Sequence, residues 1–202
     1  MRYTGPKVKK ARRLGQAFTE KDAKILRKRS TAPGQHGAKR GRLSEVAIQL
    51  REKQRAKMTY GVQEKQFVKT FDKARKLAGV TGDNLIKLLE MRLDNVVFRL
   101  GFAKTRNQAR QIVNHGFIAV NGKKVDIASY NTRVGEVISI RDSKTSKRYV
   151  NTLKEEIKSY RPQDWIDLDN NKLSGKVLSA PTPEQVGSQI NTQLIVEHYS
   201  RI

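Results

Sequence analysis

Between Arg92 and Val125 the chain stops and restarts regular structure three times within 34 residues, a schedule that few folds accept. Leu93, Val96, Val97 and Leu100 recur at i, i+3, i+4 and i+7, which is one apolar face of a helix. Gly101 stops that helix, because glycine takes the left-handed geometry of a C-terminal cap without steric cost. Thr105 is placed to cap a second helix. On it Ala109, Ile112 and Val113 face inward, while Arg106 and Arg110, one turn apart, face outward. Gly116 ends it. Ile118 and Val120 alternate as a strand, Asn121-Gly122 is a type I′ turn signal, and Val125 falls on the return strand. The apolar positions build one small core, which leaves basic residues on a single rim beside a polar turn. Such a rim suits phosphates and unpaired bases.

The charge balance narrows the partner. The chain has 202 residues, enough for one or two small domains, with 42 Lys and Arg against 19 Asp and Glu, a net charge of +23. A field of that strength implies a polyanion, and nucleic acid fits best. A membrane surface fits poorly, since no long apolar run exists and the cations are spread along the chain. With no cysteine, disulfides, thiol nucleophiles and thiolate zinc sites are excluded. Met1 to Arg13 is basic without an apolar segment, so no leader is expected and the location is cytoplasmic, or the matrix of an organelle.

Charge is also uneven along the chain: +12 over residues 1–42, +4 over 43–91, +8 over 92–150 and −1 over 151–202. The first segment is poor in large apolar residues, so a disordered tail and an arm ordered by phosphate contacts both fit it. Residues 43–58 read as a helix capped by Ser44, with Leu43, Val46, Ala47 and Leu50 as its apolar stripe and Arg51, Arg55 and Lys57 left for RNA. A second helix covers 62–78. Phe67, Phe71, Ala74 and Ala78 share one face there, and Lys65, Lys69, Lys73 and Lys76 the other. Asp83 can cap a third, carrying Leu85, Leu88 and Leu89 to a kink near Met91. Glu136 to Arg141 alternates as a strand. Leu153 to Tyr160 is a short helix. Trp165 to Leu168 and Lys176 to Leu178 are strands joined across 170–175. Pro181 and Pro183 mark a linker, and Asn191 caps a last helix to Tyr199.

These residues carry a resemblance. The Arg-Leu-Asp start at Arg92, the Thr-Arg-x-x-Ala-Arg helix from Thr105 and the Val-Asn-Gly turn at Val120 resemble the S4 RNA-binding motif. With PGQHG (Pro33 to Gly37), QLREKQ (Gln49 to Gln54) and LIVEHYS (Leu194 to Ser200), the chain from Arg2 to about Arg201 is similar to the ribosomal protein S4 family of the bacterial or organellar type. It departs from those members that bind zinc through N-terminal cysteines. The resemblance implies an α+β fold: a mainly helical domain, 43–91 plus 177–202, an inserted S4 RNA-binding domain of two helices and a small sheet, 92–176, and a basic N-terminal RNA-binding arm, 1–42. It implies a structural constituent of the small ribosomal subunit that binds 16S-type rRNA early in assembly. Roles in translational accuracy follow through ribosomal protein S5, with S3 as a further neighbour, and mRNA contact where the message enters the subunit. Some members repress their own message. The rival reading is an S4-motif RNA-binding protein attached to RNA modification or stress.

The expected RNA-binding residues are therefore Lys7, Lys9, Lys10, Arg12 and Arg13 in the arm, Gln35 and His36 in the glycine-rich loop, and Lys39, Arg40 and Arg42 after it. Arg51, Arg55 and Lys57 follow on the first long helix. In the motif they are Arg92, Thr105, Arg106, Arg110, Gln111, His115, Asn121 and Lys123. Guanidinium groups near a helix N-terminus suit a phosphate. Arg92 and Asp94 are spaced for an ion pair that orients the arginine, and His115 fits equally a helix end. PGQHG reads from chemistry alone as an ordinary turn or a close phosphate approach. No enzyme is expected. His36, His115 and His198 lack metal-site spacing, no Walker loop is present, and Asp164, Asp167 and Asp169 lack a calcium-loop signature. No cofactor, metal or small-molecule substrate is expected.

Overall fold

The computed structural model describes residues 5–38, 41–187 and 190–201. Its helices are α1 (Lys7–Leu14), α2 (Glu20–Lys28), α3 (Glu45–Thr59), α4 (Glu64–Lys76), α5 (Thr81–Glu90), α6 (Leu93–Arg99), α7 (Arg106–Asn114), α8 (Arg148–Glu156), α9 (Pro183–Val186) and α10 (Thr192–Ser200). The strands are β1 (Ile118–Val120), β2 (Lys123–Lys124), β3 (Val137–Ile140), β4 (Ile166–Asp169) and β5 (Ser174–Val177). The chain divides into two units, residues 1–82 with 189–202 and residues 83–188.

In the first unit, the basic N-terminal segment is helical where weak periodicity left a tail open. α1 ends at Gly15, whose φ of 67° lets its N–H turn back onto the Ala11 carbonyl. α2 starts at Thr19, whose hydroxyl accepts from the Asp22 N–H. Each helix buries only one or two residues, among them Ala11 and Leu14, too few to register as a stripe. Ser44 caps α3 as expected. The face that α3 buries, however, is Gln49, Glu52, Lys53 and Ala56. Leu43, Val46 and Leu50, the expected stripe, are 47%, 51% and 41% exposed. The reason lies in α10, which packs against α3 and brings polar partners with it. Gln49 donates to Glu197 at 3.0 Å, and Glu52 accepts from the Asn191 backbone N–H at 2.9 Å. α4 buries Phe67, Phe71 and Ala74, and Tyr199 of α10 lies on both rings. Its lysines at 65, 69, 73 and 76 are exposed, and so is Ala78.

The second unit carries an antiparallel sheet in the order β2-β1-β3-β5-β4. α6 and α7 pack on each other, and Leu93, Val96, Val97, Leu100, Ile112 and Val113 join Ile118, Ile138 and Trp165 in one core. Gly175 lies in β5 where a Cβ would sit 2.1 Å from Leu100 Cδ2, so only glycine lets this leucine reach the sheet. The hairpin β1-β2 turns through Asn121 and Gly122, both left-handed at φ 49° and 78°. Val125 lies just past β2, and its N–H donates to the Ile118 carbonyl. α8 begins five residues before the expected Leu153 and runs into a 3₁₀ turn, Ile157–Ser159. The proline pair at 181 and 183 is not merely a linker: Thr182 and Gln185 form a reciprocal capping box that starts α9.

Candidate nucleic-acid interface

Carboxylates in the interior of the second unit decide which of its arginines face outward. Glu90 is wholly buried and accepts two hydrogen bonds from Arg99, at 2.9 and 2.8 Å, and one from Asn95. Arg106 Nε donates to Asn95 Oδ1 at 2.6 Å, its Nη2 lies 3.8 Å from Glu90, and its guanidinium sits 4.5 Å over the Phe98 ring. The first arginine of α7 is thus turned toward the core and half-buried, not wholly outward as its spacing suggests. Arg92 and Asp94 do form the expected pair, at 3.1 and 2.7 Å. Both side chains are only 6% exposed, so Arg92 braces the motif from within and is not on its surface. The first N–H groups of α6 are also taken. Leu93 donates to the Tyr130 carbonyl and Asp94 to that of Ala128. Thr105 accepts from Gln108 N–H, capping α7 as expected.

Around this frame lies the exposed rim. Gln111, His115, Asn121 and Lys123 are exposed, and Arg110 is half-buried on α7. The Asn121 side chain accepts from Val137 N–H at 2.9 Å, which fixes the turn and leaves Lys123 beyond it. Sequence reasoning missed the groups across the sheet. Lys144 lies 5.3 Å over the Phe117 ring, Tyr149 meets that ring edge-on, and Arg141 donates to the Gly116 carbonyl at 3.1 Å. Their signal was the run Arg141 to Arg148, where four cations accompany one acid. The Tyr149 hydroxyl donates to the Phe102 carbonyl, and burial first, then the Glu156 charge, push its pKa up to about 12.

The first unit gathers its cations differently. Lys7, Lys9, Arg13, Gln35, His36 and Arg42 are exposed. Lys39 and Arg40 lie outside the described residues. The glycine-rich loop is tight: a Cβ on Gly37 would meet the Ala32 carbonyl oxygen at 1.9 Å, and its N–H donates to Gly34 O. Arg12 Nε donates to the Thr31 carbonyl at 3.0 Å. Lys10, Arg12, Arg13, Arg42 and Arg51 line one cleft of about 890 Å³. Burial, and then the charge of Lys57, pull the Lys10 ammonium below its ordinary pKa. Arg55 and Lys57 are not left over for RNA in the free chain. Arg55 pairs with Glu52 at 2.9 Å and Lys57 with Glu64 at 2.7 Å. Burial raises the Glu64 pKa, but hydrogen bonds from Lys53 and Lys57 and their charges outweigh it and hold it at about 2. Among the described residues no cluster of His, Asp and Glu could hold a metal ion, and no helix is long and apolar enough to cross a membrane.

Comparison with known proteins shows the family to which the chain belongs. Residues 2–90 match the family of the ribosomal protein S4/S9 N-terminal domain, and residues 91–138 match the S4 domain. The small ribosomal subunit protein uS4 of Chloroflexus aurantiacus is 52% identical over 204 residues, covering 99% of each chain. Those of Phytoplasma australiense and Synechococcus elongatus are each 50% identical, over 99% of this chain and 99% and 98% of theirs. The chain belongs to the uS4 family of small ribosomal subunit proteins, a structural and non-enzymatic component of the ribosome.

Proposed function

We propose that this chain binds small-subunit rRNA directly through two cationic surfaces, one on each unit, and holds a junction of RNA helices during assembly. The observation that carries this reading is the distribution of charge. Residues 1–42 hold +12 and residues 92–150 hold +8, whereas residues 151–202 hold −1. In the first unit the contacts are assigned to Lys7, Lys9, Lys10, Arg12, Arg13, Gln35, His36, Arg42 and Arg51, with Lys39 and Arg40 alongside. In the second they are assigned to Thr105, Arg106, Arg110, Gln111, His115, Asn121 and Lys123, and we add Lys144. Arg55, Lys57 and Arg92 support these surfaces from their ion pairs. We assign residues 1–42 to an RNA-binding arm, 43–91 with 177–202 to a helical domain and 92–176 to an inserted RNA-binding domain. The nearly neutral end of the chain, with Leu194 and Val196 of α10 half exposed, is assigned to protein partners, S5 first and S3 as a further neighbour. The arm is assigned to mRNA where it enters the subunit. The location that follows is the ribosome, in the cytoplasm or an organelle matrix.

The test is twofold. The protein should stay with small subunits in sedimentation through a high-salt wash. It should also bind a folded fragment of small-subunit rRNA with a steep salt dependence, the logarithmic slope falling by about 0.7 to 0.9 for each phosphate contacted. Release from the subunit in high salt together with a shallow slope would refute the reading.

A further inference from the structure

The cleft in the first unit has a floor that phosphate does not use. Leu43, just before α3, and Ala47, Leu50 and Met58 on it contribute the apolar lining. Leu43 and Leu50 remain 47% and 41% exposed, with Val46 beside them at 51%. The rest of the lining comes from the end of α1, from Gly41 and Arg42 ahead of α3, from Arg51 and Gln54 on it, and from the turn near Ser30 and Ala32, where the Arg12 bond to the Thr31 carbonyl fixes the wall. Five lining residues are cations and none is a carboxylate. Arg51 lies against Gly15, its Nη2 3.5 Å from where a Cβ would be, and its buried Nε has no hydrogen-bond partner.

Three kinds of occupant satisfy part of this surface. A lone phosphate, or an A-form duplex with its bases stacked inside, meets the cations but leaves the leucines wet. An acidic peptide does the same. An unpaired nucleotide carries both a planar base for the apolar floor and a charge for the rim. The volume, about 890 Å³, lies in the range of roughly 300–1,000 Å³ typical of pockets for single small molecules, so it admits a base and its sugar but not a helix. We propose that this cleft receives one extrahelical RNA base, with the adjoining phosphates on Arg13 and Arg42. The inference rests on the RNA-binding reading above and adds to it a preference for unpaired over paired RNA in the first unit.

The experiment uses the full chain and three probes. These are a ten-residue oligoribonucleotide with 2-aminopurine at its centre, the same strand annealed to its complement, and the folded rRNA fragment. Leu43→Gln/Leu50→Gln removes the floor at exposed positions and keeps every charge, and Ala47→Trp fills the cleft. Each should weaken single-strand binding by about tenfold or more, as for loss of one stacked base. Each should also abolish the 2-aminopurine emission change, with duplex affinity and the salt slope unaltered. Arg13→Gln/Arg42→Gln should weaken both probes and flatten the slope. Should Ala47→Trp fail to fold, the leucine pair decides. Unchanged single-strand affinity in the leucine pair, or equal losses on single strand and duplex, overturns the proposal. So does polyglutamate competing as well as the oligonucleotide at equal charge. If the rRNA fragment binds wild type while the leucine pair changes nothing, only the base assignment falls. If the fragment does not bind at all, the RNA reading falls with it.

Discussion

Glu90 shows how one side chain sorts its neighbours. A carboxylate taken wholly out of water needs partners, and here Arg99, Asn95 and Arg106 converge on it. Removing it leaves Arg99, itself mostly buried, without its counter-charge. Glu90→Ala should therefore cost about 3 to 5 kcal/mol in denaturant melts, the range for breaking a buried pair. Arg106→Ala removes a charge-assisted hydrogen bond as well as a ring contact, so it should cost about 1.5 to 3 kcal/mol and also weaken RNA binding. Lys123→Ala, at an exposed position, should change stability by about 0.5 kcal/mol or less and act on RNA alone. The Arg92–Asp94 pair was legible from its spacing, but its burial was not, because a spacing of two says nothing about what covers the pair. Glu64 makes a prediction about acid. Its pKa is held at about 2 against an ordinary 4.5, so its pairing stabilises the folded state above about pH 4.5 and is lost as pH falls toward 2. The group is 43% exposed, so screening keeps the gain small. Glu64→Gln should flatten the melting-temperature profile across that acid window, and a wild-type profile in the variant would show that the lysine pairs contribute nothing.

At the scale of elements, capping signals proved the most readable. Ser44, Thr105 and Asn191 cap α3, α7 and α10 where the sequence places them, and Asn121-Gly122 makes its turn. These are local rules, decided within three or four residues. The face that a helix buries is decided elsewhere, by what arrives to cover it. On α6 periodicity and burial agree, since Leu93, Val96 and Val97 meet an apolar core shared with α7 and the sheet. On α3 they disagree, because the covering helix lies about 140 residues away and brings a glutamate and an asparagine N–H. The contrast is measurable. Leu93→Ala should destabilise the protein by roughly 2 to 5 kcal/mol through lost packing. Leu50→Gln should shift stability by only about 0.5 kcal/mol, although both are leucines on predicted apolar stripes. A large loss at Leu50 would restore the stripe that the sequence suggested. The short helices α1 and α2 escaped the sequence because each hides so little apolar surface.

For the whole molecule, the charge gradient was legible from composition, and the proposed division of labour rests on it. Deleting residues 1–42 should flatten the salt slope of rRNA binding, and an unchanged slope would show that the arm does not touch RNA. Truncation after Pro183 should loosen α3 and α4, weaken crosslinking to S5 and spare rRNA affinity per folded molecule. A still-folded truncated protein that loses rRNA but keeps the crosslink would reverse that assignment. The family and the S4 motif were readable from short motifs, while the return of the chain's end to α3 came from the resemblance and not from periodicity. That return also sets a clock. Residues 83–188 hold their core within one continuous stretch of chain, so they can fold while synthesis continues. The buried polar face of α3 acquires its partners only when Asn191 and Glu197 have been made, after a loop whose closure carries an entropic cost. Helix α3, made well before the segment that covers it, is thus completed only after α10 has been synthesised.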